Sequence, residues 1–243
     1  MKRLSLIGSV LLGLTLVAGA QDKAEKPGKG FKKIFNGKNL KGWTGNPELW
    51  SVKDGVIVGQ TTAANPIKQN TFLIWTNGTP GDFELRFSYK LIPNNDKGAA
   101  NSGVQYRSKI LDEKNWVVGG YQADFEAGPK YSGILYEEKM TRGIMAERGE
   151  KVVWNADCKK EVTGSVGKSE EIQAAIKKED WNEYVVIAKG NHLQHFINGH
   201  QTVDVTDNCE AKRAKDGVIA FQVHVGPPMT AMFKDLRIKE AKK

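Results

Sequence analysis

From Phe83 to Leu91 the chain alternates without a break: Phe83, Leu85, Phe87, Tyr89 and Leu91 are apolar, while Glu84, Arg86, Ser88 and Lys90 are polar. Successive side chains of a strand point to opposite faces, so this pattern predicts a strand with one buried face. Tyr184 to Gly190 predicts another, and His192 to Ile197 runs into Asn198-Gly199. Asn-Gly between alternating runs is a strong hairpin signal, so His200 to Val205 should return antiparallel. Gly217 to His224 and Met232 to Lys239 supply the last two strands, and Gly- and Pro-rich turns punctuate the whole chain. One stretch departs from period two. Ser169 to Lys178 carries helix formers with Ile172, Ala175 and Ile176 on one side, which predicts a short surface helix capped by Ser169. Many short antiparallel strands with Gly-rich turns define a single all-β domain, a sandwich or jelly roll.

Two strands carry polar residues on a whole face. In Asn101 to Arg107, Val104 and Tyr106 share one side while Gln105 and Arg107 share the other. In Gly120 to Glu126, Tyr121, Ala123 and Phe125 oppose Gln122, Asp124 and Glu126. The last Gly217–His224 strand adds Gln222 and His224 opposite Ile219, Phe221 and Val223. Amides, carboxylates, an Arg and a His on neighbouring sheet faces suit a ligand rich in hydroxyls, and a sugar is the natural candidate.

Composition and termini narrow the setting. The chain has 243 residues with formal charge +8. Lys2 and Arg3, the apolar run Leu4 to Val17 and the small residues Ala18-Gly19-Ala20 form a secretory signal peptide over residues 1–20, with cleavage after Ala20. That apolar run is short for a membrane span, and no later segment approaches the needed length. Removing Lys2 and Arg3 leaves +6 of the +8. Residues 21–30 read as a solvated linker and 31–240 as the domain. The expected location is secreted or periplasmic. The positive surplus is dispersed, with no dense basic stripe interleaved with aromatics, which argues against nucleic acid as a partner. Cys158 and Cys209 are the two cysteines, and both a disulfide and two free thiols stay open.

These residues also carry a family resemblance. Phe35-Asn-Gly-Lys-Asn-Leu-Lys-Gly-Trp43 opens it, followed by Trp50-Ser-Val-Lys-Asp-Gly55, Asp82-Phe-Glu-Leu85 and Asn101-Ser-Gly103 through Arg107. Gly120-Tyr-Gln122 with Asp124, Gly133 with Tyr136, Trp181 to Tyr184, Asn198-Gly199, Phe221 to His224 and Phe233 to Ile238 continue it in order. Together they resemble the bacterial 3-keto-disaccharide hydrolase family (3-keto-α-glucoside-1,2-lyase/3-keto-2-hydroxy-glucal-2-hydratase), from about Phe31 to about Lys239. The resemblance implies a concanavalin A-like jelly roll and cleavage of glycosides already oxidised to a ketone at C3. It leaves a divalent metal cofactor open. Two loops depart from the family pattern, Pro227 to Thr230 and Arg142 to Trp154.

Elimination from a 3-keto sugar needs a base near C2, a donor for the enolate oxygen and an acid for the leaving group. Asp124 or His224 is the expected base, Arg107 the enolate stabiliser and Glu137 the proton donor. Gln105, Gln122, Glu126, Gln222 and Tyr106 are expected to orient hydroxyls, with Trp116 and Trp154 stacking on sugar rings. Plainer roles compete: Arg107 pairing across strands with Asp124 or Glu126, Glu137 as a solvated charge, and Tyr106 as core. His192 and His195 are three apart in a strand, which makes them a poor metal pair. Two other functions fit the same residues, an ordinary glycoside hydrolase and a non-catalytic lectin-like module.

Overall fold

The structure is a computed structural model that describes residues 28–241. The signal peptide and residues 21–27 of the linker lie outside the described residues. The first strands are β1 (Lys32–Lys33), β2 (Trp43–Thr44), β3 (Trp50–Lys53), β4 (Val56–Gln60) and β5 (Thr71–Trp75). Next come β6 (Phe83–Pro93), β7 (Asn101–Asp112), β8 (Val117–Glu126), β9 (Leu135–Glu138) and β10 (Gly143–Ala146). The hairpin β11 (Glu150–Trp154) and β12 (Lys160–Ser165) precedes the helix α1 (Ser169–Ala174). The chain closes with β13 (Asn182–Lys189), β14 (His192–Ile197), β15 (His200–Asp207), β16 (Val218–Val223) and β17 (Met229–Glu240).

These strands form two facing sheets. A ten-stranded sheet runs β12-β11-β15-β14-β13-β6-β17-β4-β3, with β1 added beside β17. A seven-stranded sheet runs β10-β9-β8-β7-β16-β5-β2. All-β, with one short helix, is the observed class, and the layering is a jelly-roll sandwich. β6 shows why the sequence chose it: its buried positions alternate with half-buried ones from Phe83 to Leu91. Phe221 of the seven-stranded sheet stacks on Phe233 of the ten-stranded sheet, ring centroids 4.2 Å apart. Tyr89 and Phe125 meet across the same gap at 4.1 Å. Each buried aromatic removes a large apolar area from water, so these inter-sheet contacts dominate the core.

Asn198 and Gly199 take φ of 49° and 82°, the left-handed conformations a two-residue hairpin of this type requires. Cys158 and Cys209 are bridged, their Cα atoms 4.7 Å apart across 51 residues of sequence. The bridge ties the β11–β12 hairpin to the chain just after β15. The helix is shorter than the sequence predicts and ends at Ala174. Its N-cap is Lys168, whose ammonium offers no acceptor for a cap, and the Ser169 hydroxyl, one position inside the helix, accepts a hydrogen bond from Arg148 Nε at 3.1 Å.

A histidine links the two sheets through the core. His195 is fully buried between Tyr106, whose hydroxyl is 2.9 Å from Nε2, and Tyr184, whose hydroxyl is 3.2 Å from Nδ1. Burial pushes the His195 pKa down to about 3, so the ring stays neutral, with one nitrogen donating and the other accepting. Tyr106 thus belongs to the core. Replacing His195 with Leu should orphan two buried hydroxyls and destabilise the fold by about 1–3 kcal/mol. The unfolded chain binds the His195 proton near pH 6.5 and the folded chain only near 3. Wild-type stability should therefore decline as pH falls through that window, and the variant's pH dependence should be flatter there in denaturant titrations.

Candidate functional site

The outward face of the seven-stranded sheet carries a cleft of about 510 Å³, within the range of small-ligand pockets. β7, β8 and β9 build its floor, and the segment just after β16 forms a side. Cross-strand register sets the floor residues: Gln122 lies opposite Gln105 on β7 and Tyr136 on β9, and Asp124 lies opposite Gly103. Asp124, Gln122, Asn101, Tyr136, Glu138 and His224 all line the cleft.

A ladder of amides holds the carboxylate. Ser108 Oγ donates to Gln105 Oε1 at 2.8 Å, and Gln105 Nε2 donates to Gln122 Oε1 at 2.5 Å. Gln222 Nε2 donates to the same oxygen at 3.1 Å, while Gln122 Nε2 donates to Asp124 Oδ2 at 2.9 Å. Asn101 Nδ2 donates to Asp124 Oδ1 at 2.9 Å. The ladder exists because position 103 is glycine: a Cβ there would come within 2.5 Å of Gln122 Nε2. Asp124 is 6% exposed, and burial raises its pKa well above 3.8 despite the two amide donors. The charges of Glu126 and Glu138 push in the same direction. Asn101 Oδ1 is buried and has no hydrogen-bond partner, leaving an acceptor ready for a ligand hydroxyl.

The rest of the cleft is polar and braced from behind. Asn70 Nδ2 donates to Glu138 Oε1 at 3.0 Å, and Asn70 Oδ1 accepts from the Val225 amide at 2.9 Å. His224 Nδ1 lies 2.5 Å from the Val225 carbonyl. Only an N–H can bond a carbonyl, so Nδ1 carries the proton and Nε2 remains for a ligand. Burial raises the Tyr136 pKa, with Glu138 and Asp124 adding to it, so the phenol stays protonated. The cleft continues into a trough of about 360 Å³ that shares Asn101 and His224 and is walled by Gly98, Ala99, Gly226 and Pro227. The Pro227 to Thr230 departure thus shapes this wall.

The structure brings together Asp124, His224 and Gln122 as the sequence predicts, and redirects the other candidates. Gln105 and Gln222 are fully buried and serve the ladder, so they position Gln122 and do not contact a ligand. Arg107 is not at the cleft. β7 bulges after Tyr106, and Arg107 adopts φ 45°, which inverts the alternation and gives Ser108 the outward place. Arg107 is 1% exposed, and its guanidinium bonds Gly81 O at 2.8 Å, Gly190 O at 2.7 Å and Asp82 Oδ1 at 2.9 Å, clamping loops at one end of the sandwich. Glu137 also faces inward, because Leu135 and Glu137 share a side of β9. Its carboxylate is buried against Arg142, with Nη2 2.7 Å from Oε1, and Arg142 continues to Asp207 at 2.8 Å.

Glu126 accepts the amides of Lys130 and Tyr131 at 2.6 and 2.9 Å, so it organises the turn beside the cleft and borders only the trough. Trp154 is core: its indole donates to Met145 O at 3.1 Å, and Arg142 sits 5.2 Å over its ring. Trp116 covers an apolar patch of the outward face formed by Phe72, Ile74, Val118 and Ala220, away from the cleft lining. Sequence reasoning missed Asn70, Tyr136, Glu138 and the Asn101 side chain. For Tyr136 and Glu138 a signal existed in the alternation of β9, one step out of phase from Glu137. Among the described residues no three His, Cys, Asp or Glu side chains gather as a metal site.

Fold and site together define a lectin-type β-sandwich with a polar, carboxylate-bearing cleft on its outward sheet face. The chain belongs to the family of 3-keto-alpha-glucoside-1,2-lyase-like domains, matched over residues 30–239, and this makes it a member of a carbohydrate-active family. Solved structures share the fold. A provisionally designated glycosyl hydrolase from Parabacteroides distasonis ATCC 8503 is similar at 19% identity and TM-score 0.56, over 87% of this chain and 99% of that one. The carbohydrate-binding module CBM66 from Bacillus subtilis is similar at 15% identity and TM-score 0.52, over 82% and 96%. Alginate lyase A1-II′ is similar at 13% identity and TM-score 0.51, over 86% and 98%. No curated protein matches the chain.

Two measurements probe the site without a substrate. Gly103→Ala should displace the Gln122 amide and loosen Asp124, seen as altered side-chain density at both residues in a crystal structure of a chain that still folds. Asp124 has a raised folded-state pKa, so it favours the protonated state and loses stability as pH rises through that value. Asp124→Asn should therefore be the more stable protein at neutral pH, with the difference vanishing below the unfolded carboxylate range.

Proposed function

We propose that the chain is an exported enzyme that cleaves glycosides carrying a ketone at C3, by β-elimination followed by addition of water. The observation that carries this reading is the desolvated Asp124 carboxylate, fixed by two amides at the floor of a cleft rich in hydrogen-bonding groups. Family membership supports the same chemistry. Export through cleavage after Ala20 is part of the proposal, and the Cys158–Cys209 bridge agrees with an oxidising compartment.

A ketone at C3 acidifies the C2 proton, because the resulting carbanion is delocalised onto the carbonyl oxygen. Ionised Asp124 takes that proton, and its raised pKa makes it a stronger base than an ordinary carboxylate. The protonated Tyr136 phenol donates to the developing enolate oxygen, the part that Arg107 cannot play. Collapse of the enolate breaks the bond at C1, and the departing oxygen takes a proton from His224 Nε2 when that ring is cationic. Water then adds at C1 of the 2-hydroxy-glucal and gives up a proton to His224 Nε2, while Asp124, its proton exchanged with solvent, protonates C2, so both groups return to their starting states and the sum is hydrolysis. Gln122 and Asn101 keep the carboxylate aimed through both halves.

A second reading has its own support: Asp124 and Glu138 occupy one cleft, and paired carboxylates serve ordinary glycosidases. Parallel assays on a 3-keto-glycoside and its unoxidised parent separate the two. Turnover of the keto form alone, with solvent deuterium appearing at C2, is the expected outcome. Comparable turnover of the parent would assign the chain to ordinary hydrolysis, and binding without turnover would make it a lectin-like module. Asp124→Asn should lower kcat/KM on the keto substrate by about 10²–10⁴-fold at an intact fold.

A further inference from the structure

A larger groove, of about 820 Å³, opens elsewhere and shares no lining residue with the cleft or its trough. Its origin lies in the pairing of β17. That strand pairs with β4 from Thr230 to Phe233 and with β1 only at Arg237 and Ile238. Between them, Lys234 and Asp235 have no ladder partner on that edge among the described residues, whereas the Leu236 carbonyl accepts the Ile34 amide at 3.1 Å, and β17 bulges away from β6 at the same place. Asp235 there adopts φ 57°, which turns the chain and leaves a notch in the sheet edge. The Asn36–Lys41 loop and the β3–β4 turn at Asp54 and Gly55 wall the notch.

The lining is basic. Lys32, Lys33, Lys41, Lys234 and Arg237 line the groove against only Asp54 and Asp235. Lys32 pairs with Glu240, and Arg237 pairs with Glu183 at 3.1 Å, whereas Lys33, Lys41 and Lys234 make no ion pair among the described residues. Lys234 Nζ lies 4.4 Å from the centroid of the Trp181 ring, which holds this ammonium at the groove. Trp75, also in the lining and 3% exposed, carries a buried indole N–H without an acceptor. An unpaired buried donor is destabilising unless something completes it.

We propose that this groove is a second binding site, one that takes an acidic oligosaccharide bearing uronate carboxylates. Ammoniums pair with the carboxylates, while the Trp75 indole and the Asn77 amide bond ring and hydroxyl oxygens. The volume far exceeds what a single small anion fills, which favours a ligand of several rings. Nucleic acid fits less well, because Lys90 and Lys234 both sit over Trp181 and leave no free aromatic platform for a base. A lipid surface fits less well too, since the exposed large apolar residues Ile110, Leu111, Met140 and Val162 all lie outside the groove.

The test is calorimetric titration of the intact chain with hexagalacturonate and with cellohexaose. Hexagalacturonate should bind at least about tenfold more tightly, and added salt should weaken it. The Lys41→Glu/Lys234→Glu variant should lose at least about tenfold in affinity for hexagalacturonate at an unchanged melting temperature. If that variant fails to fold, Lys33→Ala/Lys41→Ala on the exposed rim should show the same loss. Equal affinity for the neutral hexamer, or unchanged affinity in the variants, would overturn the proposal. Equally tight binding of single-stranded DNA or phosphatidylglycerol vesicles would also overturn it, by revealing a general polyanion surface.

Discussion

Everything proposed for the cleft rests on a carboxylate kept out of water. Asp124 accepts two amide hydrogen bonds, which favour its charged form, yet burial outweighs them and its pKa still rises. Removing a carboxylate from water costs more than two neutral donors return. The protein sustains this because the amides are themselves tied into a ladder running from Ser108 through Gln105 and Gln122. Gly103 opens the space in which Gln122 lies. A desolvated acid held by amides that are themselves hydrogen-bonded is what a base for a weakly acidic carbon needs.

The sandwich supplies rigidity behind that arrangement. Facing aromatics fill the gap between sheets, and polar links such as Tyr106–His195–Tyr184 stitch the two layers together where they would otherwise slide. Arg107 and the buried Arg142–Glu137–Asp207 cluster do the same at other points of the sandwich. Charged residues that resemble catalytic candidates are therefore part of the frame. Arg107 and Glu137 turn inward from β7 and β9, strands whose outer side forms the cleft.

Period-two alternation made the strands and the all-β class legible, because burial on one face leaves a direct imprint on composition. It also located Gln122, Asp124 and His224. Arg107 and Glu137 were misplaced for two different reasons. A bulge in β7 broke the parity at Arg107, and no local sequence signal marks a left-handed Arg. Glu137 falls on the same side of β9 as the buried Leu135, so the alternation marks Glu138 as the outward residue. Trp154 was misjudged because its loop setting in sequence folds back over Arg142. The basic groove was invisible for a simpler reason: its lysines come from segments around Lys33, Lys41 and Lys234, which only the fold brings together.

The most direct measurement is the titration of the Asp124 carboxyl carbon followed by nuclear magnetic resonance in the ligand-free protein. The account predicts a midpoint well above the ordinary aspartate value of 3.8, shifting back toward that value when Gln122 is displaced and water enters. A midpoint at or below 3.8 would show a solvated or ion-paired carboxylate, and the proposed base would lose its physical foundation.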